Sequence, residues 1–474
     1  MSRSIRASCG AAALALLPAE VAAHAFGARY DLPLPLPLWL AAAGLAVALS
    51  FVVFALALRR GTSGASTPRL AILRLHPVVL AALRVVSVCV FFLLIAAGLF
   101  GTQDPFRNLA PAFVWIVWWI GFTYLSAAAG DLWAVLNPWK VLYPAGRFGL
   151  RRELPAAVGV WPAALLLLAF GWIEIAWEGN AVPANIAWLA LGYSLLTWTG
   201  MFVFGCEAWL RSGEVFAVYF GLLARLAPFE VRARNGTACE WNLRPPAAGL
   251  LDSSPVSASV AAFIIVMLAT VTFDGVRETP LWADLLARVS QPGEPITDTV
   301  WAVSATAGLL LGPCVFALVI LGAGAWMARL TRGDARPASA GELARLFVPT
   351  LLPIAFAYHV AHYLSYLLVA GQVVIPLASD PLGLGWDLLG TAHYKVAVEI
   401  AGARSAWTTS VVAIVLGHVL AMYLAHRLAL GRFAARRTAR RSQVPLAALM
   451  VAYTMASLWI LAQPIVETGA GAVR

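Results

Sequence analysis

Charge is scarce in this chain: Asp, Glu, Lys and Arg make up 12% of its 474 residues, against 61% that are hydrophobic. That balance excludes an ordinary soluble globular domain, whose charged share is about 25%. Cysteine is also scarce. Cys9, Cys89, Cys206, Cys239 and Cys314 form no CxxC pair, so neither a disulfide framework nor a thiolate metal site is suggested. There is no Walker loop, no GxGxxG following a strand, no GxSxG elbow and no HExxH motif. The signatures of nucleotide-binding proteins, serine hydrolases and zinc proteases are therefore missing. Internal repeats are not evident either, which removes weight from the commonest transporter architectures.

What the chain has in abundance is long apolar runs. Runs of about 20 residues, the length a helix needs to cross a bilayer, recur at 38–58, 76–100, 109–136, 155–175, 183–206, 256–274, 300–328, 346–372, 405–426 and 444–465. With a mean hydropathy of +0.81, they predict an all-α, polytopic transmembrane bundle of about ten spans. A shorter stretch, "EVFAVYFGLLARLAPF" at 214–229, is interrupted by Arg225 and Pro228 and reads as an interfacial or half-buried helix within a loop at about 207–255.

Ahead of the first span, Arg3 and Arg6, a short apolar region, Pro18 and small residues ending at Ala23 make a secretory signal pattern. The expected division is a signal peptide at 1–23 and one membrane domain at 24–474, with His24 as the new N-terminus outside the cytoplasm. Basic residues fix the expected orientation. If the spans alternate from that start, the inner loops hold 23 Arg and Lys residues and the outer segments seven. Both termini and an outer loop at 373–404 then face outward. The net charge of +10 is accounted for by these short loops and their contact with anionic lipid. A groove for nucleic acid is not implied.

Histidine carries the most specific signal. "AYHVAHYLSYLLVAGQ", residues 357–372, places His359 and His362 three positions apart on one helix face, near the middle of a span. His418, in "VVAIVLGHVLAMYLAHRLAL", falls at the same expected depth on an antiparallel span, and Gly417 beside it lets a neighbouring helix come close. Ionisable groups at that depth are costly unless partnered. Three imidazoles are the donor set of many zinc sites and also suit copper. The alternative is that they bond to tyrosines or carbonyls across the bundle. His24, through its ring and the new α-amine, is a fourth candidate ligand. Asp274 in "TVTFDGVRE" and Glu174 in "GWIEIAWEGN" lie at span ends. Each is a candidate general base or partner for an imidazole N–H. His426 and His76 read as boundary residues and His393 as part of the outer loop.

Several stretches taken together, "AHAFGARYDLPLPLPLWL", "DPFRNLAPAFVWIVWW", "GDLWAVLNPWK", "APFEVR", "TFDG", "HVAHYLSYLL", "SDPLGLGWDLLGTA" and "GHVLAMYLAHRLAL", resemble the bacterial membrane proteins of the fenitrothion hydrolase family. The resemblance runs from the presumed mature N-terminus to about residue 430. It implies a multi-pass protein of the bacterial cell membrane that hydrolyses neutral, lipophilic phosphotriesters and phosphorothioates and releases a nitrophenol. It carries no residue assignment, so the site residues rest on depth and chemistry. A bound divalent metal, zinc or copper, would activate the water, and the lipophilic substrate would enter from the bilayer against "FVWIVWW" at 113–119, unless those tryptophans form an interfacial belt. The competing readings are a metal-ion or small-solute permease using the mid-membrane histidines, and a membrane copper protein with His24 as its chelating end.

Overall fold

Helices dominate because the apolar runs satisfy their own backbone, as a lipid environment demands. The structure is a computed structural model that describes residues 30–58, 69–144, 148–234, 238–252, 254–290, 297–334 and 337–465. The expected signal peptide and His24 lie outside the described residues. Nine helical stretches among them are long and apolar enough to cross a membrane. The chain is an all-α polytopic membrane bundle. Their ends follow local chemistry. Pro77 follows His76, whose side chain accepts the Val78 N–H. Ser257 and Thr297 cap the helices Ala258–Arg277 and Asp298–Leu330 in the same way. Gly130 and Gly205 end two others with φ of 96° and 91°, values that suit glycine.

Two expectations change. The run at 155–175 forms only the 15-residue helix Trp161–Ile175, because Pro155 and a succession of turns occupy its first residues. The segment 207–255 is also more structured than an interfacial helix. Its helix Val215–Leu223 is apolar on every side and buried at Val215, Phe216, Tyr219, Phe220, Leu222 and Leu223, as an all-round hydrophobic helix must be. Glu214 anchors it. That fully buried carboxylate accepts from Trp133 Nε1 (3.1 Å), Asn137 Nδ2 (3.1 Å), the Tyr193 hydroxyl (2.6 Å) and the N–H groups of Phe216 (3.1 Å) and Ala217 (2.7 Å).

After it come strands β2 (Phe229–Arg234) and β3 (Ala238–Leu243), and β1 (Leu70–Leu75) adds to the other edge of β3. Both pairings are antiparallel, with Arg74 and Arg232 opposite Glu240 on either side. Arg74 Nε reaches Glu240 at 3.1 Å and Arg69 Nε reaches Glu230 at 2.6 Å. This small sheet was not expected.

Helix Ala258–Arg277 runs through the centre, with 14 of its 20 residues buried. Beside it pack Trp161–Ile175, Asp298–Leu330 and Leu352–Ala370, and the last of these lies along Ala403–Arg432. Within the span Leu109–Ala129, residues Phe113–Gly121 are wound as a π-helix. This wider winding often accompanies functional sites. Here it directs Trp119 inward, with 6% of its surface exposed, so that residue is no part of an interfacial belt.

Candidate functional site

The two helices Ala258–Arg277 and Leu352–Ala370 bring together residues that the sequence keeps far apart. Asp274, buried near the end of the first, lies 3.0 Å through Oδ2 from His362 Nε2. The Tyr363 hydroxyl donates to the same oxygen. The other oxygen, Oδ1, accepts from Arg277 Nε at 2.9 Å, one helical turn along. Arg277 also donates through a terminal nitrogen to the Ile175 carbonyl at 3.3 Å. The carboxylate thus has three charged or polar partners, the condition under which an ionised group persists inside a protein. Neither end of the cluster is sealed. His362 keeps 10% and Arg277 34% of its side chain exposed. With Nε2 on the carboxylate, Nδ1 of His362 is the nitrogen left to take a proton.

Glu174 lies within reach of the charge on Asp274. It accepts the indole N–H of Trp119 at 2.7 Å, and its carbonyl accepts from Asn180 Nδ2 at 2.7 Å. The Asn180 carbonyl in turn accepts from Trp115 Nε1 at 3.0 Å. His359 faces the other side of Trp119. Its ring packs among Tyr363, Tyr124 and Trp119 at centroid separations of 4.7, 5.4 and 6.4 Å. It is 4% exposed and both its ring nitrogens lack a partner.

His418 does not join them. Its Nδ1 is bound to the Ile414 carbonyl at 2.8 Å, and its ring lies 5.8 Å from Tyr453, whose hydroxyl meets Thr272. Equal depth therefore does not become a shared centre. His359 and His362 point to different neighbours, and His418 turns to a third helix. Among the described residues no group of three or more His, Cys, Asp or Glu side chains is placed to hold a metal ion. The residues brought together do not fit the expected three-histidine zinc or copper centre. Of the two acidic candidates, Asp274 is the partner of His362, and Glu174 lies within electrostatic reach of Asp274. His393 lies exposed in the loop after helix Val374–Ser379 and His76 at a helix start. His426, read as a boundary residue, is fully buried.

Three contributors escaped sequence reading. Arg277 and Tyr363 complete the shell of Asp274, and Trp119 holds Glu174. The signal for Arg277 is visible in "FDGVR", where acid and base stand three apart on one helix. Trp119 had none, because a π-helical turn decides which way it points.

A cavity of about 730 Å³ is lined among others by Trp115, Trp118, Trp133, Trp139, Phe170 and Phe216. Its size suits a drug-sized ligand. Phe170 is part of its wall and also touches Trp119, the residue that donates to Glu174, with ring centroids 4.6 Å apart. Comparison with protein-family models, with curated proteins and with solved structures finds no match to this chain.

Proposed function

We propose that this multi-pass membrane protein is a hydrolase of neutral, lipophilic phosphotriesters and phosphorothioates, with His362 as the general base. The observation that carries the reading is the buried pair Asp274–His362, joined through Nε2, whose imidazole side chain keeps 10% of its surface exposed. Asp274 accepts a hydrogen bond from the Nε2–H of His362, which fixes the tautomer and stabilises the imidazolium once formed. A water oxygen attacks phosphorus while its proton passes to Nδ1. The bond from phosphorus to the aryl oxygen breaks, and the nitrophenolate leaves with the electron pair. Arg277 supplies positive charge next to the pair, where the phosphoryl or thiophosphoryl group gains negative charge. No step is routed through a metal.

The aromatic cavity supports the substrate class, since a neutral ester gains by leaving water for apolar walls. With the short helix Trp161–Ile175 crossing as a tenth span, positive-inside loops support a location in the bacterial cell membrane with both termini outside, and the end of helix Ala258–Arg277 that bears Asp274 then faces outward. Nitrophenol release by the purified protein in detergent tests the reading. A permease is the second reading. It is favoured by the buried, partnerless Tyr358 hydroxyl, His418 Nε2 and Ser457 hydroxyl, polar groups of the kind that line transport paths. It calls instead for solute flux in sealed vesicles.

A further inference from the structure

One end of the bundle holds buried polar atoms that the catalytic reading does not use. His426 is fully buried and neither ring nitrogen has a hydrogen-bond partner. Arg440 Nε and Gln443 Oε1 are also buried without partners. Three adjoining elements supply these groups. His426 belongs to helix Ala403–Arg432, Arg440 to the short helix Arg436–Ser442 packed on it, and Gln443 to the junction with helix Val444–Ile465. The charges that act on His426 are the guanidinium groups of Arg440 and Arg436. Arg436 also holds the end of helix Leu36–Ala57, donating to the carbonyls of Leu56 and Leu58 at 3.0 Å each. Glu342, the acid on the neighbouring helix Ala340–Phe347, is paired with Arg432 at 3.4 Å.

A buried imidazole with neither ring nitrogen hydrogen-bonded carries an uncompensated desolvation cost, and the positive field of the two guanidinium groups favours an anion beside it. A bound anion answers both. It would accept from the His426 ring and from Arg440 Nε, and it would offset the positive field. Gln443 Oε1 is an acceptor and asks for a hydroxyl, which a protonated phosphate or the glycerol of a lipid headgroup carries. The depth fits a headgroup. His426 lies six residues before the helix end at Arg432, about 9 Å along the axis. Basic pockets between helix ends are known to suit anionic lipid phosphates, and Arg suits their geometry.

We infer that His426, Arg440 and Gln443 form a binding site for a phosphate group, either the phosphodiester of an anionic lipid or free phosphate. The inference is independent of the hydrolase reading. To test it, the purified full-length protein in neutral detergent is titrated with phosphatidylglycerol, phosphatidylcholine or inorganic phosphate while thermal unfolding is followed. Phosphatidylglycerol is expected to raise the midpoint and phosphatidylcholine to leave it unchanged. A rise with inorganic phosphate as well assigns the site to the phosphate group alone, and a rise with the lipid only assigns it to the headgroup. In both cases Arg440→Gln and His426→Leu weaken the apparent affinity by roughly tenfold or more. Arg437→Gln, at an exposed position, leaves it unchanged. Arg440→Lys keeps the charge but loses the Nε–H, and carries the same expectation if Arg440→Gln does not fold. The site is wrong if neither anion raises the midpoint of the unmodified protein, or if Arg437→Gln weakens binding as much as Arg440→Gln.

Discussion

Gly417 packs directly on Ala357: a Cβ on Gly417 would lie 2.4 Å from the Ala357 Cβ and 2.9 Å from the Pro353 carbonyl oxygen. Helix Ala403–Arg432 therefore lies nearly backbone to backbone against the helix that carries His359 and His362. A larger residue must push the two apart, and overpacking of this kind costs about 1–3 kcal/mol. Gly417→Val should lower the thermal midpoint in detergent. Gly322→Ala, where a Cβ meets nothing within 4 Å, should leave it nearly unchanged. Equal midpoints for the two variants would contradict the close approach.

The loop at 380–402 supplies a pH dependence. Asp387 accepts from the Ser379 hydroxyl (2.7 Å) and the Ala392 N–H (3.1 Å), and these bonds hold its carboxyl below the usual carboxylate range. Folding thus favours the ionised form. The contact is fully present above the unfolded value, near pH 4, and is lost as pH falls through the lower folded value. Proteolysis within 381–402 should therefore quicken at pH 3 relative to pH 6 in the unmodified protein. Asp387→Asn should remove most of that difference, and a variant with the original pH response would show that another group controls the loop.

Orientation can be read by labelling. Ser379 and Ser442 are fully buried, so informative cysteines belong at exposed neighbours. In a background lacking the exposed Cys89 and Cys314, Leu388→Cys should react with an impermeant maleimide on intact cells. Arg437→Cys should react only after permeabilisation. The opposite pattern would invert the topology and place Asp274 on the inner side.

Metal removal separates the present reading from a metal-activated one. Because the proposed step uses His362 as the base, nitrophenol release should survive dialysis against a strong chelator with less than about a twofold loss. A larger loss that added zinc or copper restores would reinstate a metal, with the chain before residue 30 as one source of ligands.

The bundle was legible in the sequence because each span is a contiguous apolar run, and crossing a bilayer needs little more than length. Asp274 and Glu174 were legible as acids at span ends. Their partners were not, since the pairing of Asp274 with His362 joins residues 88 positions apart and depends on how two helices are rotated about their axes. Rotation is also why depth alone misplaced His418. A match in depth says nothing about which face an imidazole occupies, and His418 found the carbonyl of Ile414 and the ring of Tyr453. The β2–β3 pair did leave a sign. "FEVRARNGTACEWNL" sets two short alternating segments on either side of Asn235–Gly236, a strong hairpin signal. Strand β1 left none, because its pairing is long-range. The buried helix behind Glu214 was masked by Arg225 and Pro228, which lie just beyond its end at Leu223.

The most direct test of the hydrolase account is nitrophenol release from a fenitrothion-like phosphorothioate by purified His362→Gln protein, compared with His418→Gln and the unmodified chain. Each variant is first matched to the unmodified protein in thermal midpoint and elution volume. The account predicts a fall of about 10²–10⁴-fold in kcat for His362→Gln, the scale of a lost general base. His418→Gln should stay within roughly threefold. Turnover by His362→Gln equal to that of the unmodified protein would contradict the account.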